Sequence, residues 1–197
     1  VFALLGFLVP AVAGKAADPA VFFVQKMGDK ALSSLTAPEL PTVEREKRVR
    51  ELLRANFDVN MIGRAALGVH WRSASEAERG EYLRLFEDMI VRTYAQRFAE
   101  YSGQSFKVGA VSPAGTKDKV VSSRIIQKDG PPVAVDWRVR GGGAQMKIID
   151  VLVEGISMMV TQRSDFDSVI QSGDGKISAL LKSMRARQTS PKVVKKP

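Results

Sequence analysis

Few residues in this chain have chemistry to offer. There is one histidine, His70, and no cysteine. That leaves no thiol nucleophile, no disulfide and no His/Cys metal cluster. A Ser-His-Asp triad would have to run through His70, and no G-x-S-x-G elbow is present to expose a serine. His70 stands beside Trp71 at a junction between helical patterns, where it reads as a packing or capping residue. Gly141, Gly142 and Gly143 lie between two strand patterns, with no P-loop lysine after them, so they read as a hairpin turn and not a phosphate cradle. The carboxylates Asp136, Asp150 and Glu154 remain. In a pocket of a curved sheet, Asp136 or Asp150 could act as the general base of a small isomerase-like enzyme. Strand-edge carboxylates are more often solvated or paired with arginine, so no catalytic residue is assigned, and no cofactor or metal is expected.

What the chain has in quantity is apolar surface, and the longest helical pattern carries most of it. From about Ala74 to Tyr101 no Gly or Pro breaks the period except Gly80. Ser73 with Glu76 forms a potential capping box at its start. Tyr82, Leu83, Phe86, Met89, Ile90, Tyr94, Phe98 and Tyr101 recur at spacings of three and four and make a wide stripe. Arg84, Asp88, Arg92 and Gln96 take the other side. Such a helix is about 40 Å long, and its stripe has to be covered.

Three helical patterns precede it. Asp18-Pro19 is an N-cap followed by Pro at the first helical position, and the helix runs to about Ser34. A second spans about Val43 to Asn56. Asp58 caps a third, which ends at Gly68. After Gly103 the period changes from 3.6 to 2. Ser105–Val111, Lys119–Lys128, Pro132–Arg140 and Gln145–Glu154 read as about four strands joined by short turns, hence an antiparallel meander. In the third, Val133, Val135, Trp137 and Val139 share a face. In the fourth, Met146 and Ile148 fall on one face and Ile149, Val151 and Val153 on the other, so both faces are expected to be covered. Helical patterns return at Ser157–Ser172 and around Ile177–Met184. Helices, strands, then helices give an α+β class: a curved antiparallel sheet wrapped by N-terminal and C-terminal helices, with the sheet as the cover for the long stripe.

The 197 residues are 45% hydrophobic and 26% charged, with a net charge of +9. That is enough for one domain with a sizeable core. Phe2–Val12 is apolar, with small residues at Ala11, Ala13 and Gly14, which resembles the apolar region and cleavage site of a secretory signal peptide cut after about Ala13. Residues 1–13 are therefore expected to be signal, 14–187 a single domain, and 188–197 a disordered basic tail. Six of the 30 Lys and Arg side chains lie between Lys182 and Pro197, with no acidic residue among them.

Phe57-Asp58, Leu67-Gly68, Trp71-Arg72, Ser75, Phe86, Tyr94 and Tyr101-Ser102-Gly103 occur in an order that resembles the MlaC family of periplasmic phospholipid-binding proteins. Ile149-Asp150-Val151, Val153-Glu154-Gly155-Ile156-Ser157 and Arg163-Ser164 with Phe166 are similar to a second signature of that family. The resemblance covers about Asp18 to Met184. It implies a monomeric lipid carrier in the periplasm, not an enzyme. The carrier would hold phospholipid in an apolar cavity between sheet and helices, in the service of outer-membrane lipid asymmetry. Its implied partners are an inner-membrane ABC transporter complex and an outer-membrane lipoprotein complex, with no nucleic acid. Lining residues are then expected from the long helix (Tyr82, Phe86, Met89, Ile90, Tyr94) and from the strands (Val135, Trp137, Met146, Val151). The chain departs from the family at Met146, where the family carries Trp, and at Ile149 and Gln162, where it carries aromatics. A polycyclic hopanoid is therefore an alternative ligand. A lipid-independent adaptor docking through Arg and Lys patches is a third reading.

Overall fold

The computed structural model describes residues 18–189; the expected signal segment and residues 190–197 lie outside it. Five helices come first: α1 (Pro19–Leu35), α2 (Thr42–Asn56), α3 (Val59–Leu67), α4 (His70–Ser73) and α5 (Glu76–Ala99). Strands β1 (Ser105–Ala114), β2 (Asp118–Ile126), β3 (Val133–Arg140), β4 (Lys147–Val153) and β5 (Ile156–Ser157) follow, then α6 (Met158–Gln171) and α7 (Ile177–Thr189). The strands form one antiparallel sheet in sequence order. The α+β class stands, with a short fifth strand added. No helix among the described residues is long and apolar enough to cross a membrane.

Local chemistry sets most boundaries. The Asp18 carboxylate accepts from the Ala20 N–H at 2.9 Å, and Asp58 accepts from Met61 N–H at 3.0 Å. Gly68 ends α3 at φ +61°, a conformation L side chains rarely adopt. The capping box of α5 is Ser75 with Glu78, not Ser73 with Glu76. The Ser73 hydroxyl donates instead to the His70 carbonyl at 3.1 Å, closing α4, and Ala74 is extended. Several helix C-termini receive a cation from another element. Buried Arg45 donates to Leu35 O and Ala37 O at the end of α1. Lys147 Nζ donates to Arg54 O and Ala55 O at the end of α2, and Arg163 donates to Ala65 O in α3. Each places positive charge on the negative end of a helix.

Two bulges organise the sheet. Between Val108↔Ser123 and Val111↔Val121, β1 carries one residue more than β2. Between Arg138↔Asp150 and Val139↔Ile148, Ile149 is extra on β4. An extra residue reverses the inside–outside alternation. Phe106, Val108 and Val111 thus share a face, and so do Ile148 and Val151, in one cluster with Val139 and Trp137. The two-faced pattern expected for the fourth strand is corrected accordingly: Ile148 and Val151 do not oppose each other. The β4–β5 link is Glu154-Gly155, with φ +50° and +77°, the two left-handed residues of a tight hairpin.

The sheet does not cover the stripe on α5. That helix packs against α2, α3 and α7, and α1 is what lies on β1 and β2. Ion pairs from Arg50 to Glu87 and Asp88, and from Arg185 to Glu81, tie α2 and α7 along it. The returning C-terminal helices bury Tyr82, Leu85 and Phe86 with Phe166, Ile170, Leu180 and Leu181. The narrower face of α1, with Val24, Met27 and Gly28, fits the concavity of the sheet.

Candidate functional site

Register places one apolar face of the sheet under α1. Across the strands it reads Phe106–Ile125–Val133, then Val108–Ser123–Val135–Val153–Ile156, then Val111–Val121–Trp137–Val151. Trp137 stands near its centre. Its indole N–H donates to Ser123 Oγ at 2.9 Å, and the Ser123 hydroxyl donates on to Val135 O at 2.7 Å. The one polar group of the ring is thereby satisfied within the sheet. Two other rings meet Trp137 edge to face: Phe57 at 6.5 Å and 67°, and Phe106 at 6.1 Å and 86°. Phe57 comes from the α2–α3 joint, which pairs with β4 through the Asp58 N–H to Ile148 O bond.

All three rings are only partly buried, as are Val21, Phe23, Leu52 and Val151 around them. The face then runs on past α1. Ile125, Val133 and Val153 are half-buried, and Ile156 is 61% exposed. Apolar side chains are thus left half-covered along one seam. A cleft of about 480 Å³ at the α2–α3 joint, lined by Arg54, Phe57, Asp58, Val59, Glu87 and Lys147, opens onto the same Phe57.

The expected lining residues separate. Val135, Trp137, Met146 and Val151 belong to the layer of sheet and helices around α1. Tyr82 and Phe86 lie elsewhere, in a closed aromatic core with Phe166, the three ring centroids 5.7–6.2 Å apart. Tyr82 is fully buried, its hydroxyl donates to Gly63 O at 2.9 Å, and burial pushes its ionisation far up. Met89 and Ile90 pack at the edge of that core. Tyr94 is 41% exposed beneath the Arg97 guanidinium. Phe106 was not marked by the sequence as lining, and Phe57 was noted only for a family motif; the period-two apolar pattern around Phe106 was the signal for the first.

The carboxylates do structural work. Asp150 accepts from the Ser157 hydroxyl at 2.6 Å and from the N–H groups of Val151 and Met159, clamping β4 to the start of α6. Glu154 accepts from Ala134 N–H. Asp136 pairs across from Ser122 and Leu152, on the face turned away from Trp137. His70 meets Asp167 at 2.6 Å, and this hydrogen bond holds the Asp167 carboxyl below its usual range. No group of three or more His, Cys, Asp or Glu among the described residues is arranged to hold a metal.

The family model for the MlaC protein matches residues 25–186. The chain belongs to the MlaC family. It is 25% identical over 166 residues to the intermembrane phospholipid transport system binding protein MlaC of Haemophilus influenzae, a match covering 80% of this chain and 77% of that protein. A solved phospholipid-binding protein from Ralstonia solanacearum, in complex with a phospholipid, superposes with a TM-score of 0.72 at 25% identity, over 85% of this chain and 96% of that one.

Within this MlaC-family fold the three departures noted from sequence fall in different places. Met146 is buried in the α1–sheet layer, where a flexible thioether replaces a rigid ring. Ile149 is the bulge residue of β4. Gln162 lines a cleft of about 370 Å³ between α6 and α7, with Phe166, Leu180 and Met184.

Proposed function

We propose that this chain is a periplasmic phospholipid carrier that holds acyl chains between α1 and the sheet. In this reading it moves lipid between an outer-membrane lipoprotein complex and an inner-membrane ABC transporter complex. The observation that carries the reading is the half-covered seam where Phe57 and Phe106 meet Trp137 edge to face. The phospholipid complex of the Ralstonia relative, with the same fold, supports it. Acyl chains entering along Ile156, Val153 and Val133 would replace contacts of α1 with the sheet, so the helix lifts as the tails enter.

The energetics suit exchange. Burying a methylene is worth about 0.8 kcal/mol, so roughly thirty of them give about 24 kcal/mol against water, beyond the practical affinity ceiling of about 18–21 kcal/mol. A bilayer offers the tails nearly the same burial. Transfer between membrane and carrier is then close to neutral provided the chains stay out of water, and no catalysis is needed. A base at Asp150 is disfavoured, because its oxygens are committed to the β4–α6 clamp.

Native mass spectrometry and lipid extraction on protein purified from a bacterial periplasm test this. One bound glycerophospholipid per chain is the expected result. A polycyclic lipid would assign the hopanoid alternative, and a lipid-free protein that takes up no lipid from vesicles would sink the proposal.

A further inference from the structure

Six of the sixteen arginines are paired with a carboxylate among the described residues. Arg48, Arg50, Arg54, Arg138, Arg140 and Arg185 each lie within salt-bridge distance of a carboxylate. Four others gather around the corner from α3 to α4. The Arg64 and Arg79 guanidiniums lie 5.7 and 5.3 Å from the centroid of the Trp71 ring. Arg79 also donates to Trp71 O and Arg72 O. Arg163 donates to Ala65 O, and its side chain passes Gly68 so closely that a Cβ there would stand 3.2 Å away. Arg72 follows Trp71 and is exposed. None of these four arginines makes an ion pair among the described residues. The carboxylate on hand, Asp167, is engaged by His70. At the tip of the corner, just after the left-handed Gly68, Val69 is 77% exposed.

Four guanidiniums held together repel one another until an anion joins them. Two lie against the Trp71 ring, and an apolar residue projects beyond. Trp at the interface, cations at the headgroups and an apolar tip in the acyl boundary are what a membrane surface takes up. A rigid acidic protein needs a face of about 800 Å² per partner, whereas this corner is one valine on a four-residue helix ringed by charge. A fluid surface can close around it. We propose that the α3–α4 corner docks this protein onto an anionic phospholipid bilayer. The inference does not depend on where acyl chains are held, and lipid content is measured separately.

Vesicle flotation tests it, using phosphatidylcholine vesicles with and without about one-third phosphatidylglycerol. The full chain is expected to float with the anionic vesicles alone, and to be released by salt. Arg64→Gln with Arg72→Gln removes about one surface attraction per arginine and should weaken binding about thirtyfold. Val69→Asp should weaken it as well, at a largely exposed position where little burial is lost. Arg124→Gln, exposed on β2, should leave it unchanged. Equal binding to both vesicle types would overturn the proposal, and so would equal binding by the Arg64/Arg72 variant and wild type, which would point to the basic C-terminal residues instead. Capture of an acidic protein by wild type and not by that variant, with no vesicle binding by either, would overturn it in favour of a protein partner.

Discussion

Gly28 and Phe106 are in such close contact that a Cβ on Gly28 would lie 2.4 Å from two carbons of the phenyl ring. This is where α1 comes down on the sheet. An interior helical glycine is worse than alanine by about 1 kcal/mol on propensity alone, so the close approach is what suits glycine to the position. Gly28→Ala forces the ring to shift, an overpacking that costs about 1–3 kcal/mol. The net expectation is a lipid-free protein destabilised by about 1 kcal/mol after the gain in helix propensity. If α1 lifts when lipid enters, the loaded protein should show a smaller deficit. Urea unfolding of both forms measures it, and adding Phe106→Leu should restore most of the loss.

Trp137 reports on the same seam. Trp71 is the other tryptophan, so Trp71→Phe leaves Trp137 as the sole indole. Its ring is only partly buried, and acyl chains laid against it should exclude water. The emission of this variant is expected to move to shorter wavelength on loading and back on extraction of lipid. No change between loaded and extracted protein would place the chains elsewhere.

Much of the fold was legible in the sequence, and what was not has identifiable causes. The caps at Asp18 and Asp58 and the stop at Gly68 follow from local chemistry and stand where the residues indicate. At the start of α5 the expected box was Ser73 with Glu76, and the one formed is Ser75 with Glu78. The choice fell to the second because α4, a four-residue turn, uses Ser73. The bulge at Ile149 leaves no mark in hydropathy, yet it decides which face Val151 joins. The stripe on α5 was plain, but the period of a helix says nothing about its partner. Helices α2, α3, α6 and α7 cover most of it, and the sheet takes α1. Phe57 and Phe106 reach Trp137 from distant parts of the chain, a meeting set by topology and invisible to spacing.

Asp118 gives the protein an acid limit. Its side chain is 3% exposed, with Arg140 Nε at 2.6 Å and Arg138 Nη2 at 2.7 Å. The hydrogen bond from Arg140, and then that from Arg138, outweigh burial and hold the carboxyl below the usual aspartate range. A depressed folded pKa stabilises the folded state above the unfolded value, and that stability is lost as pH falls through the folded one. Stability should thus be flat with respect to this group above about pH 5 and fall below about pH 4. Asp118→Asn should cost about 1–2 kcal/mol at neutral pH, since both arginines remain half-solvated, and should flatten the acid limb. A variant whose acid limb matched wild type would assign the limb to other carboxylates.

Two apolar clusters with different duties predict that stability and lipid retention separate. Phe86 is 2% exposed and stacks on Tyr82 with Phe166 edge-on to both. Phe86→Ala opens a cavity in that closed core and should cost about 3–5 kcal/mol. The α1–sheet seam is built from other residues, so protein that remains folded should keep its lipid. Val151 is half-buried and pairs with Trp137 at the seam. Val151→Asp puts a carboxylate where acyl chains would lie, and an unpaired charge in hydrocarbon is expelled or excludes the chains. Because Val151 is already partly exposed, the lipid-free fold should lose no more than about 1–2 kcal/mol, while co-purifying lipid falls to background. Thermal unfolding and native mass spectrometry on the same preparations read the two effects. Lipid lost by Phe86→Ala and retained by Val151→Asp would reverse the assignment and return the binding surface to α5.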